Sequence, residues 1–228
     1  MHWKNSSRIF LGVIVDTYVT DEQQAEKVKQ WWSDNGRYLI AGVVMGLAIL
    51  YGWNTWKDYR VNQARNASET FATLEKAVDS KEVKQAEDAE WTLLEKYRST
   101  AYAAMGELEI ARLYVAENDL TKAAEKLNWV IDHASLTEVQ EIATLRLAQV
   151  LVDDGKAEAA LSLMEQSLPA SYVSLREEVR GDAYRALGKV DAAREAYDRA
   201  LLTAGGNAEY LQLKRDDLGL VEDPAPQG

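Results

Sequence analysis

The stretch RGDAYRALGKVDAAREAYDRA, residues 180–200, decides the fold of the chain. Small residues stand in it at fixed intervals, and the large residue Tyr197 lies between Ala193 and Ala200. Small residues let two helices approach, a large residue fills the space between them, and a glycine such as Gly188 can end the first helix in left-handed geometry. The stretch therefore predicts two short helices that pack against each other.

The same pattern occurs three times along the chain. Its six positions fall on Gly181, Tyr184, Gly188, Ala193, Tyr197 and Ala200; on Ala148, Leu151, Gly155, Ala160, Met164 and Ser167; and on Ala111, Tyr114, Asn118, Ala123, Leu127 and Val130. The copies are 37 and then 33 residues apart, which is typical of helix pairs that bury their apolar faces by stacking. The spacing resembles that of tetratricopeptide repeats (TPR).

Weaker helices are expected on either side of these copies. Upstream, residues 62–80 and 86–98 suit a fourth, degenerate pair in which Ala89 and Leu93 keep the frame. Downstream, residues 207–218 suit a polar-faced capping helix. We therefore predict an all-α protein with a TPR-like α-solenoid of about three to four helix pairs and a C-terminal cap. A non-repeating helical bundle stays open as the alternative.

The apolar run YLIAGVVMGLAILYGWNTW, residues 38–56, predicts a single transmembrane helix. It contains 19 residues without Asp, Glu, Lys or Arg, close to the ~20 that cross a bilayer core. Trp31, Trp32, Trp53 and Trp56 flank it, as expected at membrane interfaces. A buried core helix or a cleaved signal peptide fits less well. The predicted order is an N-terminal segment 1–37, the span 38–56, a repeat domain 57–220 and a disordered tail 221–228.

The charges around the run do not decide its direction across the membrane. Three Lys/Arg lie in the 20 residues before it and four in the 20 after it, so the positive-inside rule leaves the orientation open. Within the N-terminal segment we expect a poorly ordered extension at 1–18 and a short amphipathic helix at 21–35.

Small residues inside the run predict a helix-packing face. Gly42 and Gly46 form a GxxxG, and Ala48 and Gly52 repeat the spacing. Such spacing lets helix backbones come close together in a membrane. The face could therefore pack against a second copy, forming a homodimer, or against a larger membrane partner.

Charge and composition exclude several classes of function. The formal net charge is -11, and the excess of acidic residues falls entirely after residue 56. An acidic domain without a basic stripe is a poor ligand for nucleic acid. Cysteine is absent, so thiolate metal sites and cysteine dyads are excluded. His2 and His133 stand apart in the sequence, and phosphate-loop, dinucleotide, zincin and nucleophile-elbow motifs are missing. We predict no enzyme activity, no cofactor and no metal.

The remaining candidate for function is the concave face of the solenoid, which the first helix of each pair would line. By the repeat frame, that lining is Met105, Leu108, Arg112, Val115, Ile142, Leu145, Gln149, Val152, Leu175, Glu178, Asp182 and Arg185. This groove would be apolar at one end and charged at the other. Such a surface suits an extended or unfolded polypeptide segment.

Four stretches together give a family resemblance over residues 15–220. They are VDTYVTDEQQAEKVKQWWSDNG before the run, YLIAGVVMGLAILYGW within it, NQARNASETF after it, and the repeat RGDAYRALGKVDAAREAY. The chain resembles the YfgM family of proteobacterial inner-membrane proteins. The resemblance implies an ancillary subunit of the SecYEG translocon, with a cytoplasmic N-terminus and a periplasmic repeat domain that associates with the periplasmic chaperone PpiD. It also implies contact with unfolded exported chains. The extension before Val15 departs from the family pattern.

Two further hypotheses compete with this interpretation. The chain could be a membrane-tethered TPR scaffold that sequesters a stress-response regulator. It could also be a hydrolase whose site shows no known motif.

Overall fold

The computed structural model describes residues 21–165 and 170–219, with side chains from residue 24 and, in the second range, from residue 171. The described chain is all α-helical apart from one short 3-10 turn, Ala170–Tyr172. The helices are α1 (Asp21–Asp79), α2 (Val83–Lys96), α3 (Ala101–Ala116), α4 (Leu120–His133), α5 (Thr137–Asp153), α6 (Ala157–Leu163), α7 (Val173–Ala186), α8 (Val190–Leu202) and α9 (Ala208–Asp217). The predicted all-α solenoid with a capping helix, here α9, is confirmed. The predictions for 1–18 and for the tail 221–228, like Ser167, lie outside the described residues.

The chain divides between Asp58 and Tyr59 into two compact units. In the first unit, apolar side chains of α1 are exposed: Val43 by 56%, Leu47 by 62% and Leu50 by 66%. Within the described residues, α1 is the one helix long and apolar enough to cross a membrane, and none of its most apolar window is buried. The core-helix alternative would require burial, because apolar side chains inside a protein core are covered on all faces.

Three segments that were predicted separately from the sequence are joined in one helix. The amphipathic helix predicted at 21–35, the span at 38–56 and the first repeat helix at 62–80 are parts of the continuous helix α1, which ends at Asp79. Between these segments the sequence contains no proline. The changes of polarity that suggested boundaries therefore occur within one helix, because polarity does not end a helix and caps or breakers do.

Left-handed residues end the first helix of each pair. Asn118, Gly155 and Gly188 have φ of 60°, 74° and 70°, so the predicted geometry is confirmed. Lys81 has φ of 57° and plays the same part in the upstream pair. Glycine adopts this conformation without a steric penalty, whereas lysine does so at a cost.

Five residues after each left-handed residue stands an alanine with no exposed surface. These alanines are Ala86, Ala123, Ala160 and Ala193. The frame in the upstream pair therefore falls on Ala86, and the predicted frame on Ala89 and Leu93 is wrong by three residues. The cause is Lys81, because a lysine carries none of the turn signal that glycine and asparagine give.

Paired positions on the two helices of a unit are matched in size. In the last unit a Cβ built on Gly181 would lie 2.4 Å from Cε1 of Tyr197, so only glycine leaves room for this ring, which is fully buried. In the two units before it, the first position is alanine and the second holds a residue smaller than tyrosine. The frame matches Ala148 with Met164 and Ala111 with Leu127. In the most upstream unit both frame positions hold large buried residues, Leu74 and Glu90, so the size match is limited to the three units after it.

Three apolar clusters follow one another along the repeat domain. The first extends from Ala67 to Val150, the second includes Met164 and Val179, and the third joins Tyr197 to Leu211 and Leu218. Each cluster is built by helices that are near neighbours in sequence. This arrangement is the quasi-one-dimensional core of a stacked repeat.

Candidate partner-binding groove

A cavity of about 770 Å³ opens on the inner face of the repeat domain. Its walls come mainly from the first helices α3, α5 and α7 and from the capping helix α9. The lining residues are Leu108, Ala111, Arg112, Val115, Leu127, Arg146, Gln149, Val150, Val152, Asp153, Asp182, Arg185, Ala186 and Lys214. This cavity is called the groove from here on. Its volume lies in the range of sites that bind ligands in proteins.

Seven of the twelve residues predicted to form the groove line it. They are Leu108, Arg112, Val115, Gln149, Val152, Asp182 and Arg185. The five others lie elsewhere: Leu145 belongs to the second apolar cluster, Glu178 is buried, and Met105, Ile142 and Leu175 are outside the groove wall. Of these five, Leu145 and Glu178 are buried against neighbouring helices, and Met105, Ile142 and Leu175 are partly or fully exposed outside the groove wall.

The predicted lining omitted seven residues of the groove wall. Three are buried, Ala111, Leu127 and Val150, and the others are Arg146, Asp153, Ala186 and Lys214. Lys214 was missed because it comes from the capping helix, and Arg146 because it lies about one turn away from the frame positions of α5. Asp153 and Ala186 are the residues next to the frame positions Val152 and Arg185. A helix presents a face of several residues per two turns, so counting neighbours one turn away would have included Arg146.

The apolar end of the groove belongs to the α3 side. Leu108 and Val115 lie on α3, and Val152 lies at the end of α5. Val115 is exposed by 39%. On the α7 side the lining residues Asp182 and Arg185 are charged. The groove therefore changes along the repeats from aliphatic to charged.

Ion pairs fix two of the cations in the groove. The Arg112 guanidinium donates to Asp79 at 2.8 Å and to Glu109 at 2.8 Å. Lys214 donates from Nζ to Glu178 and to Asp182, both at 2.8 Å. Burial opposes the charge of Lys214, but these two hydrogen bonds outweigh it and raise the pKa of the ammonium group.

Asp182 is held in place by a second donor. The Tyr197 hydroxyl donates to Oδ1 of Asp182 at 2.7 Å. Burial and this hydrogen bond raise the pKa of the Tyr197 phenol, so the hydroxyl stays protonated and stays a donor. Tyr197 is the large residue that fills the space between the two helices of the last unit, which we call the wedge residue of a unit. It thus orients a carboxylate of the groove wall.

Buried glutamates lie behind the groove at equivalent positions of two repeats. Glu107 of α3 and Glu177 of α7 have 1% and 3% exposed surface, and the repeat frame places them at the same site. Arg199 donates to Glu177 at 2.8 Å, and Arg176 and Arg180 lie 3.3 Å from it. Burial alone would raise the pKa of Glu177, but these three guanidinium groups outweigh burial and lower it.

Glu107 has the opposite surroundings. Lys126 pairs with Glu90 and lies 3.7 Å from Oε2 of Glu107, while Oε1 of Glu107 has no hydrogen-bond partner within the described structure. Burial is the main cause that raises the pKa of Glu107 to about 8. The carboxylate of Glu90 also raises this pKa, and Lys126 lowers it only in part. At this site the neutral acid is the favoured form near neutral pH.

The small residues of α1 face no neighbour within the described chain. A Cβ built on Gly42, Gly46 or Gly52 meets no atom within 4 Å, and Ala48 is exposed. The outer surface of α1 at these positions is free for a second helix. His133 is the last residue of α4, and its ring stacks on Trp129 with 4.6 Å between the ring centroids.

One candidate membrane span and a stack of helix pairs with an inner groove define a helical-repeat protein of the TPR type. A model of the tetratricopeptide repeat-like domain family matches residues 29–220. The chain belongs to this family.

Curated relatives cover nearly the whole chain. A protein of Escherichia coli (strain K12) named "Ancillary SecYEG translocon subunit" is 28% identical over 90% of this chain and 100% of its own length. Proteins of the same name are 26% identical in Haemophilus influenzae, over 80% of this chain and 89% of theirs, and 25% identical in Neisseria gonorrhoeae, over 88% and 98%. The resemblance to the YfgM family is confirmed.

Proposed function

We propose that this chain is a non-enzymatic ancillary subunit of a SecYEG translocon in the bacterial inner membrane. The observation that carries the proposal is the similarity along nearly the full length to three proteins named as such subunits. The candidate span in α1 supports a membrane location. TPR-type repeats present grooves to polypeptide partners, which supports a role in protein contact without chemistry.

In this proposal the two units have different partners. The small-residue face of α1, at Gly42 and Gly46, packs beside a helix of the translocon, because close backbone approach is how membrane helices associate. The repeat domain lies in the periplasm and the residues before the span lie in the cytoplasm. The groove of the repeat domain binds a periplasmic chaperone of the PpiD type or a polypeptide that is emerging from the translocon.

Site-specific photo-crosslinking in living cells tests these contacts. A photo-reactive residue at Gly46 is expected to trap a translocon subunit, and one at Val115 or Gln149 in the groove is expected to trap a chaperone or an exported chain. Glu195 is the matched control, because its side chain is 73% exposed on α8 and lies outside the groove. Consistent capture of a response regulator from the groove positions would overturn the proposal in favour of a regulatory scaffold.

Protease accessibility tests the orientation separately. Protease added to intact spheroplasts should digest the repeat domain together with a known periplasmic domain. If the repeat domain stays intact in spheroplasts and is cut only after lysis, the periplasmic placement is wrong.

A further inference from the structure

Four cationic side chains line the groove of a chain that is strongly acidic. Arg112, Arg146, Arg185 and Lys214 line it, against the carboxylates of Asp153 and Asp182, whereas the chain has a formal net charge of -11. Inside a concave surface, a cation that is not already paired attracts a ligand group of the opposite sign. Which of these cations are already paired therefore decides whether the groove attracts an anionic group.

Two of these four cations are free to bind such a group. Arg112 and Lys214 are already neutralised by carboxylates at 2.7 to 2.8 Å. Within the described structure, Arg146 and Arg185 form no salt bridge, and both are exposed. Asp153 also lines the groove without a salt bridge there. Two unpaired guanidinium groups thus face one unpaired carboxylate.

The two arginines lie in the middle of the groove. Arg146 is on α5 and Arg185 is on the neighbouring helix α7, between the aliphatic wall of α3 and Lys214 of α9. Neighbouring helices pack about 8–10 Å apart, so the distance from α3 to α7 is about 16–20 Å, or five to six residues of extended chain. A bound polypeptide that lies along the groove therefore reaches the two arginines with an internal side chain and not with its terminal carboxylate.

We propose that the groove binds an extended polypeptide segment in which a glutamate or aspartate side chain follows an aliphatic residue. The aliphatic side chain packs on Leu108 and Val115, and the carboxylate accepts hydrogen bonds from Arg146 and Arg185. Guanidinium groups bind carboxylates in fork geometry, which gives orientation as well as attraction. This inference rests on the proposed function and names the class of polypeptide that the groove selects.

Peptide binding to the full chain in detergent tests the inference. The probe is a fluorescent hexapeptide with valine and leucine followed by one glutamate, with both ends blocked, and its match carries glutamine instead of glutamate. We expect the glutamate peptide to bind about tenfold more tightly, the difference that one charge-assisted interaction gives. Equal binding of the two peptides would overturn the proposal without any variant of the protein.

Variants then locate the charge that the peptide reads. Arg146→Gln and Arg185→Gln should each reduce the preference for glutamate to about threefold or less, and the preference should weaken with added salt. Arg194→Gln is the control, because this arginine is on α8, outside the groove, with a side chain 47% exposed. An unchanged preference in both groove variants, with unfolding midpoints unchanged, contradicts the proposal.

Three other results would also overturn it. Binding only by peptides with a free C-terminus would show a site for the terminal carboxylate, and full competition by free glutamate would show a small-molecule site. If Arg194→Gln weakens binding of the glutamate peptide and the two groove variants do not, the contact lies outside the groove. Photo-crosslinking to the translocon through Gly46 is independent of these results, so failure here leaves that part of the proposed function standing.

Discussion

Glu107 and Glu177 occupy the same site in two repeats and have opposite electrostatics. Three arginines surround Glu177 and lower its pKa, whereas Glu107 shares one lysine with Glu90, and its pKa is raised to about 8. Both side chains are almost completely buried. The comparison teaches that the repeat frame fixes where a carboxyl group is buried, while residues outside the frame decide whether it carries a charge.

The origin of the difference is visible at the wedge position of each unit. The unit before Glu107 has Glu90 as its wedge residue, whereas the unit before Glu177 has Met164 there, and both are buried. A carboxylate in place of an apolar wedge adds a second buried acid beside Glu107, and two nearby acids compete for one cation. Burial of a charge costs free energy unless it is paired. The upstream units therefore contain a pH-dependent site and the last unit a fixed ion cluster.

The largest effect is expected from removing the one cation of the upstream site. Lys126→Met leaves the buried carboxylate of Glu90, beside Glu107, without its cation, and it should lower the free energy of unfolding by about 3–5 kcal/mol near neutral pH. Pulse proteolysis of the detergent-solubilised chain in urea measures this. The loss should shrink in acid, where both carboxyl groups are neutral. A loss that does not depend on pH would contradict the assignment.

The next largest effect is the pH dependence that Glu107 causes. Between the ordinary carboxyl pKa and about 8, the folded chain holds a proton that the unfolded chain has released. Its free energy of unfolding therefore falls as the pH rises through this window. Glu107→Gln removes the titration and should gain about 1–3 kcal/mol over the natural chain near pH 9, with little gain near pH 4. Urea midpoints measured across this range test the prediction, and parallel pH profiles would refute it.

A smaller effect is expected at the last unit. Arg199→Met removes one hydrogen bond to Glu177, but Arg176 and Arg180 remain, and Arg199 is itself partly exposed. The free energy of unfolding should fall by about 1 kcal/mol. The lowered pKa of Glu177 means that the cluster stabilises the fold above the ordinary carboxyl pKa and loses this contribution in acid. The loss of unfolding free energy caused by Arg199→Met should therefore be greatest near neutral pH. A loss as large as that from Lys126→Met would contradict the proposed difference between the two buried glutamate sites.

The smallest effect concerns the turns of the same units. Lys81 has a positive φ where the last unit has Gly188. Lys81→Gly relieves the steric cost of this conformation and should raise the free energy of unfolding by about 0.5 kcal/mol after the entropic cost of glycine. Gly188→Lys is the reciprocal control and should lower it by a similar amount. The same urea titration measures both, and equal signs for the two changes would contradict the interpretation.

The sequence predicted most of the fold because its signals are local. Small residues at fixed spacing and left-handed residues such as Asn118 and Gly155 identified the units. The register of the upstream pair was missed because Lys81 has no turn signal, and the continuity of α1 was missed because polarity changes without a cap. Matching Glu107 with Glu177 by the frame was possible from the sequence, but their charge states depend on Lys126 and Arg199, which lie on other helices.

The groove was predicted only in part for a related reason. Leu108, Val115 and Val152 follow from the frame, since one helix face recurs in each unit. Lys214 comes from the cap, which has no equivalent in the repeats, and the pairing state of Arg146 and Arg185 depends on three-dimensional distances. Spacing along a sequence predicts which face is shared but does not give the ion pairs formed across it.

The order of the three apolar clusters along the chain has a consequence for synthesis. Among the described side-chain hydrogen bonds, the partners farthest apart in sequence are separated by 36 residues. Low contact order favours rapid folding, because each contact closes only a short loop. The domain can therefore fold progressively from its N-terminal units as the polypeptide emerges, and each completed unit provides the surface on which the next one folds.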